Sequence, residues 1–516
     1  MHENASPGVE RDDVAISTPH ASRQIDAIII GAGLGGLLSA AHLLQRGKRV
    51  LILERLPHAG GRFTAKHFQG VQVSTGAVHM VPFGSSGALA QMLDRLQVPH
   101  RFFDADVFGS FYVHGKQYRA QGLLGVLRFL GPRQSWWFIR LGYLMFFSQL
   151  PEAELQMPFH RWLERHLKVE RNPQLVAFFE RISRFALSLE LSQVSTREVI
   201  RTTRNMFRFG APAIVEGGCG EITRQLEQHV QALGGELTLS CEVLQIIQRD
   251  GRVSGVRVRY KEHGVEEVIE APLVVSDIGP RATDGLLHNR KVRQADVLKR
   301  KPEEESVGGE MPSEVGLHEA VGLKVHILSD VSFIPHRGIM YCLDTKRIAG
   351  IVQPTNSDPS LAPAGKHLLI THQVIQSNNV EEERALALAD LHMLFGDAFD
   401  THCRVLTMGT YRGEWPVNRM TQGEDLTPTT TIEGLYLVGD AVKPSGFLMV
   451  EGVAQSVNHF LDLLDALDRE ETDRNGRPAR ASRSHMAVAY SRLNPLRWLW
   501  MAPGNSATFH KLKDAH

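Results

Sequence analysis

Between Asp26 and Glu54 the sequence spells one β-α-β unit, and few folds accommodate it. DAIII has buried-strand character, GAGLGG follows, LLSAAHLLQRG has helical spacing, and RVLILE is a second apolar run ending on Glu54. Two such strands joined through a helix lie parallel, which predicts an α/β fold with a Rossmann-like, doubly wound sheet. Within the turn, Gly31, Gly33 and Gly36 satisfy G-x-G-x-x-G. Gly31 permits the tight strand-to-helix turn, Gly33 lets the backbone approach a pyrophosphate, and Gly36 lets the helix pack on the strand. The helix opening at Leu34 offers unpaired N–H groups to the phosphates. A glycine turn by itself often serves only geometry. Here it follows a strand, opens a helix, and precedes Glu54, which stands 18 residues after Gly36, where a carboxylate accepts from ribose hydroxyls. Together these features predict dinucleotide binding.

The grammar returns later in the chain. EGGCG reads as a glycine turn, EITRQLEQHVQALGG as a helix and ELTLSCEV as a strand. QIIQRDGRVSGVRVRY reads as a hairpin turning at Asp250-Gly251, and APLVVSD as a further strand. Residues 80–200 read as mainly helical and aromatic, with a short strand-like piece at Ser110–Val113. GLKVHILSD and KHLLITHQV read as strands on either side of a second hairpin, and EEERALALADLHMLFG as a helix with acids in its first turn. Residues 296–316 read as a charged loop. GLYLVGDAV and MVEGVAQSVNHFLDLLDAL read as a last strand and helix. No internal repeat is evident.

A second glycine cluster gives ERLPHAGGR, with Gly60, Gly61 and Arg62 just beyond Glu54 and Arg55. With GLYLVGDAVKPSGFLMVEGV at the far end, the chain resembles the amine oxidase and phytoene desaturase superfamily of FAD enzymes. EGGCGEITRQLEQHVQALGGELTLSCEVLQIIQRDGRVSGVRV and VVSDIGP bring it nearer to phytoene desaturase-like proteins, carotenoid isomerases and retinol saturases. The resemblance is specific at the two ends and around 214–276. It implies one FAD cradle built from separated segments. Gly61 and Arg62 would follow the pyrophosphate and ribityl chain, Arg62 as a forked donor. The backbone of Val243 would meet adenine. Gly439 and Asp440 would close the ribityl and pyrophosphate side. Met449 and Val450 would open a helix toward the isoalloxazine, where a partial positive charge favours the reduced anion.

The implied organisation is a leader at 1–24 expected to be disordered, an FAD-binding domain from 25–80, 214–280 and 405–468, a helical apolar region at 81–213, an α+β substrate-binding domain at 281–404, and a tail at 469–516. Composition sets limits on partners and compartment. Lys plus Arg and Asp plus Glu both number 57, without the basic surface that a nucleic-acid binder needs. The four cysteines form no CxxC pair and the 24 histidines show no ligand spacing, so neither a disulfide framework nor a metal is expected. A reducing cytoplasm is the expected compartment. The leader lacks an apolar h-region, and no uncharged apolar run reaches the ~18 residues of a spanning helix.

A flavin without a metal or cysteine pair suggests hydride transfer between a substrate carbon and flavin N5. The substrate clue is GLLGVLRFLGPRQSWWFIRLGYLMFFSQL at 122–150, where Arg140 is the only charge from Ser135 to Leu150. One reading dips this stretch into a bilayer interface, with Arg128, Arg133 and Arg140 at the headgroups; the other buries it in the substrate domain. RWLWM in the tail leans toward membrane contact. An apolar, polyisoprenoid or carotenoid-like substrate is therefore expected, undergoing desaturation, isomerisation or saturation. An amine or amino-acid oxidase and a non-catalytic flavin-binding membrane protein stand as alternatives. The aromatic pair that flanks the flavin in amine oxidases is not evident. Candidate catalytic side chains are Lys324, His326, Arg412, Glu414 and Trp415.

Overall fold

The computed structural model describes residues 24–76, 78–120, 122–288, 320–413, 415–418 and 427–474. The leader up to 23, the charged loop, Glu414 and the tail from 475 with its RWLWM patch lie outside the described residues.

Strand Ala27–Ile30 is at the centre of a five-stranded parallel sheet, in the order Glu236–Thr238, Val50–Leu53, Ala27–Ile30, Leu273–Ser276, Leu435–Leu437. The two strands of the opening unit are buried at every position, as a sheet covered on both faces requires. Alternate residues take opposite sides. Ala27, Ile29, Val50 and Ile52 pack under helices Leu34–Gln45, Cys219–Ala232 and Met449–Arg474. Ile28, Ile30, Leu51 and Leu53 pack against a three-stranded antiparallel meander, Cys241–Arg249, Arg252–Tyr260 and Glu266–Glu270. The meander turns at Asp250 and Gly251, both with positive φ, as a two-residue hairpin turn demands.

ELTLSCEV is not one strand. It divides at Ser240, whose φ of 52° breaks the extended chain, so that Glu236–Thr238 joins the parallel sheet and Cys241 begins the meander. The chain thereby passes from one layer to the other within a few residues.

A second body is built on a seven-stranded sheet, in the order Cys403–Tyr411, Gly322–Ser329, His367–Val374, Ile348–Val352, Ile339–Cys342, Gly109–Val113, Lys116–Ala120. The hairpin expected between the two long strands is Ile339–Cys342 with Ile348–Val352. Gly109–Val113 pairs parallel with Ile339–Cys342, so residues 109–120 extend this sheet from far upstream. The boundary expected at 405 falls inside Cys403–Tyr411, which pairs with Gly322–Ser329 in this sheet. One face is covered by helix Val380–Phe395, whose N-terminus is capped by the Asn379 side chain accepting from Glu381 and Glu382 N–H. The other face meets helices Gly122–Phe147, Phe159–His166 and Pro173–Ala186 around Phe111, Trp162, Phe178 and Tyr341.

Candidate functional site

A cavity of about 1750 Å³ runs from the carboxyl ends of the parallel strands to the seven-stranded sheet. Open α/β sheets bind ligands at this edge, because every helix that follows a strand points its N-terminus there. Gly31, Gly33, Leu34, Glu54, Arg55, Gly61, Arg62, Val243, Asp440, Met449 and Val450 all line it. Segments far apart in the chain thus converge on one groove. Gly36 and Gly439 lie beneath the wall. A Cβ on Gly36 would collide with the Gly31 carbonyl, and the Gly439 N–H donates to Ser456 Oγ at 2.8 Å.

Glu54 is buried, and its two carboxylate oxygens accept from the N–H groups of Ala32 at 2.8 Å and Leu56 at 2.9 Å. Each carboxylate oxygen retains a second lone pair for a hydroxyl donor. At Val243 the meander ladder slips register, turning backbone out of pairing where the strand borders the groove. Arg62 donates to the carbonyls of Pro416 and Val417, each at 3.0 Å, and to Asp440 Oδ1 at 2.6 Å. The expected forked donor therefore pairs with another residue expected at the cofactor, and together they tie the two ends of the site.

Asp277 was not singled out by the sequence, although it ends a strand as Glu54 does. It accepts from Gly36 N–H at 3.0 Å. Gly33, the N-cap of helix Leu34–Gln45, has no side chain to cap with, and Asp277 does this from another segment. A Cβ on Gly33 or Gly35 would run into this carboxylate, so the glycines keep the helix mouth narrow and bare. Lys443 was also missed. It is buried, donates to the Asp440 carbonyl at 2.7 Å, and is depressed by burial. Glu198 accepts from Ser445 Oγ at 2.6 Å and Gly446 N–H at 2.9 Å, pinning the loop before Met449. Met449 itself has φ of 44°, a strained value for a side chain of its kind, at the helix start that borders the cavity.

Among the catalytic candidates, Lys324, Arg412 and Trp415 line the cavity. Lys324 is buried, with its ammonium 4.7 Å from the centre of the Tyr411 ring. Burial, helped by the Arg62 guanidinium, pulls it down to about 7. His326 is not part of the wall. Its ring sits between Ser74 Oγ at 3.0 Å and Thr407 Oγ1 at 3.1 Å, and burial holds it neutral, at about 3. It braces strand Val71–Ser74 against the large sheet. Glu414 lies outside the described residues. His372 was not anticipated. It lines the cavity, is neutral through burial, and bonds through Nε2 to Ser188 Oγ at 2.7 Å. Besides the His372 ring, the cavity's aromatic side chains among the described residues are Phe63, Phe185 and Trp415. Among the described residues no cluster of His, Cys, Asp or Glu is arranged to hold a metal.

Residues 34–456 match the model of the flavin containing amine oxidoreductases, from the glycine turn to the last helix. This chain belongs to that family. Within the family it is similar to an uncharacterized protein of Methanocaldococcus jannaschii, at 32% identity over 85% of this chain and 99% of that one. It is also similar to prolycopene isomerase 1 of an Oncidium hybrid cultivar, at 25% identity over 82% of this chain and 81% of the relative. The crystal structure of an oxidoreductase from Methanosarcina mazei superposes with a TM-score of 0.73 at 30% identity, covering 85% of this chain and all of that one. The cofactor of this flavin oxidoreductase is FAD. The groove fits it: bare glycines at the mouth of Leu34–Gln45, a buried carboxylate at Glu54, and one continuous cavity long enough to reach the second sheet.

Proposed function

We propose that this FAD-dependent oxidoreductase transfers hydride between flavin N5 and a carbon of an apolar, polyisoprenoid or carotenoid-like substrate. The observation that carries the reading is the wall of the cavity near the second sheet. Val78, Phe185, Val321, Ile375 and Val417 supply apolar surface there, and Lys324 and His372 are both buried in it. Such a wall favours a hydrocarbon over a charged substrate, because burying each apolar ångström squared is worth ~25 cal/mol and an unpaired charge is costly. The similarity to prolycopene isomerase 1 supports the same substrate class.

Bound FAD supplies a two-electron donor and acceptor. The chain's own groups then have separate tasks. Glu54 and the glycine turn hold the cofactor, and Arg62 with Asp440 fixes the two ends of its cradle. Lys324 exchanges a proton at Nζ near neutral pH, because its burial brings it to about 7. In a desaturation, that nitrogen takes the proton lost from the neighbouring carbon. In a saturation it returns one. His372, held by Ser188, stays neutral and shapes the apolar wall.

The test is anaerobic mixing of the purified holoprotein with polyenes in detergent and, separately, with a panel of amines. Acyclic carotenoids or retinoids should bleach the oxidised flavin or reoxidise the reduced flavin, with a matching change in the number or geometry of double bonds by mass and absorption. Reduction by amines with release of peroxide, and none by polyenes, would overturn the reading in favour of an amine oxidase.

A further inference from the structure

Helix Gly122–Phe147 kinks at Gly131, where φ is 71°, and Pro132 follows. Its inner face is core: Val126, Phe129, Leu130, Leu141 and Met145 are buried in the cluster on the large sheet. Its outer face is not polar. Trp136 is 66% exposed, Ile139 51%, Tyr143 61% and Phe147 60%, with Leu124 at 80% before the kink. The last four of the helix fall at spacings that share one side, and Arg133 and Arg140 are exposed on that same side. These five residues make up almost half of the large apolar side chains exposed among the described residues, although they sit on one element. Four large apolar side chains repeating along one exposed side of a helix, two of them in ring contact, mark an interaction surface.

Charge identifies the partner. From Val107 to Pro151 the sequence contains no Asp or Glu, while Lys116, Arg119, Arg128, Arg133 and Arg140 are all present, in a chain whose acids and bases balance at 57 each. A second copy of the chain is a poor occupant. A two-fold contact would set this arginine-bearing face against itself, with no acid in the stretch to pair. An anionic lipid surface suits it: Trp and Tyr settle at headgroup depth, apolar rings enter the acyl boundary, and guanidinium groups meet phosphate. Among the described residues no helix is long and apolar enough to cross a membrane, so the element would lie in the plane of the interface. We propose that the Trp136–Tyr143–Phe147 face of this helix docks the protein on an anionic phospholipid bilayer. The helix behind it, Pro173–Ala186, touches both sides of the arrangement: Phe178 packs edge-on against Phe138 at 5.6 Å, and Phe185 lines the cavity. Docking therefore sets the cavity one helix away from lipid.

The experiment is sedimentation of the holoprotein with vesicles of phosphatidylcholine alone or mixed equally with phosphatidylglycerol. The mixed vesicles should carry down the protein about tenfold better, and added salt should erase that preference. Trp136→Ser combined with Tyr143→Ser and Phe147→Ser should weaken binding by about a hundredfold. Arg128→Gln with Arg133→Gln and Arg140→Gln should remove the preference for phosphatidylglycerol. All substituted side chains are exposed, and flavin absorbance in the same samples reports that the fold is intact. Wild-type protein left in the supernatant by both vesicles, or a triple aromatic variant that binds as well as wild type, would overturn the proposal. So would a wild-type dimer by light scattering that the aromatic variant loses without any vesicle binding, which would make the face a contact between copies.

Discussion

Asp277 carries two jobs that conflict, and the conflict is measurable. As a cap it satisfies Gly36 N–H and offsets the positive end of helix Leu34–Gln45. As a negative charge it stands at the helix mouth where the proposed cradle would receive the pyrophosphate of FAD. Asp277→Asn keeps an oxygen acceptor for the cap and removes the charge. The variant should bind FAD several-fold more tightly, by about 1 kcal/mol, in titrations of apoprotein followed by flavin fluorescence. Unchanged or weaker affinity would mean the carboxylate does not oppose the cofactor. The glycines and Glu54 were legible in the sequence because their task is local: a turn, a close approach, a strand end. Asp277 and Glu198 act on groups from other segments, so their identity alone carried no sign of it, and Lys443 turns its ammonium back on the carbonyl of Asp440 within its own loop. His326 shows the opposite error. It stands two residues from Lys324 on one strand, yet Ser74 and Thr407, distant in sequence, claim both its ring nitrogens.

At the scale of elements, the sheet of the opening unit was readable because its strands are buried on both faces and so appear as short apolar runs. The split of ELTLSCEV was not, since its alternation continues across Ser240 and only the backbone turn there separates the layers. Nor was the joining of Gly109–Val113 to Ile339–Cys342, a pairing over more than two hundred residues. Another long-range joint links two helices. Glu451, in the first turn of Met449–Arg474, accepts from Phe83 N–H at 3.3 Å and from Leu89 N–H at 2.9 Å. It thereby caps helix Ala88–Leu96, whose own N-cap is Gly87. Both helix N-termini favour the carboxylate, but burial outweighs them and lifts Glu451 from 4.5 to about 7. The sign follows. Below 4.5 both folded and unfolded chains hold the proton. Between 4.5 and about 7 the unfolded chain has released it and the folded chain has not, so stability falls as pH rises, by on the order of 3 kcal/mol. Glu451→Gln should flatten this part of the pH profile of the urea midpoint. A variant with the wild-type slope would assign the effect elsewhere.

For the molecule as a whole, the question is how two sheets with separate cores act as one site. Neither the β-α-β signature nor the strand alternation of the second body specifies how the two bodies meet. Arg62 supplies part of the answer. It leaves the glycine turn after Glu54 and donates to the Pro416 and Val417 carbonyls, next to the point where the Val417 N–H donates to the Ala320 carbonyl at the start of the large sheet. Its other nitrogen meets Asp440, beyond the last strand of the parallel sheet. One planar guanidinium therefore holds three segments, which a lysine cannot do with a single ammonium point. Arg62→Lys should keep the charge and lose two of the three bonds, destabilising the protein by about 2–4 kcal/mol. The distribution of that loss distinguishes a brace from a local contact. If Arg62 braces the two bodies, hydrogen exchange should quicken both in Leu34–Gln45 and in Gly322–Ser329, and added FAD should restore protection in both, because a ligand that binds only the folded cradle stabilises it by mass action. Faster exchange confined to the glycine turn, with the large sheet as protected as before, would show that the two bodies are held together by something other than this arginine.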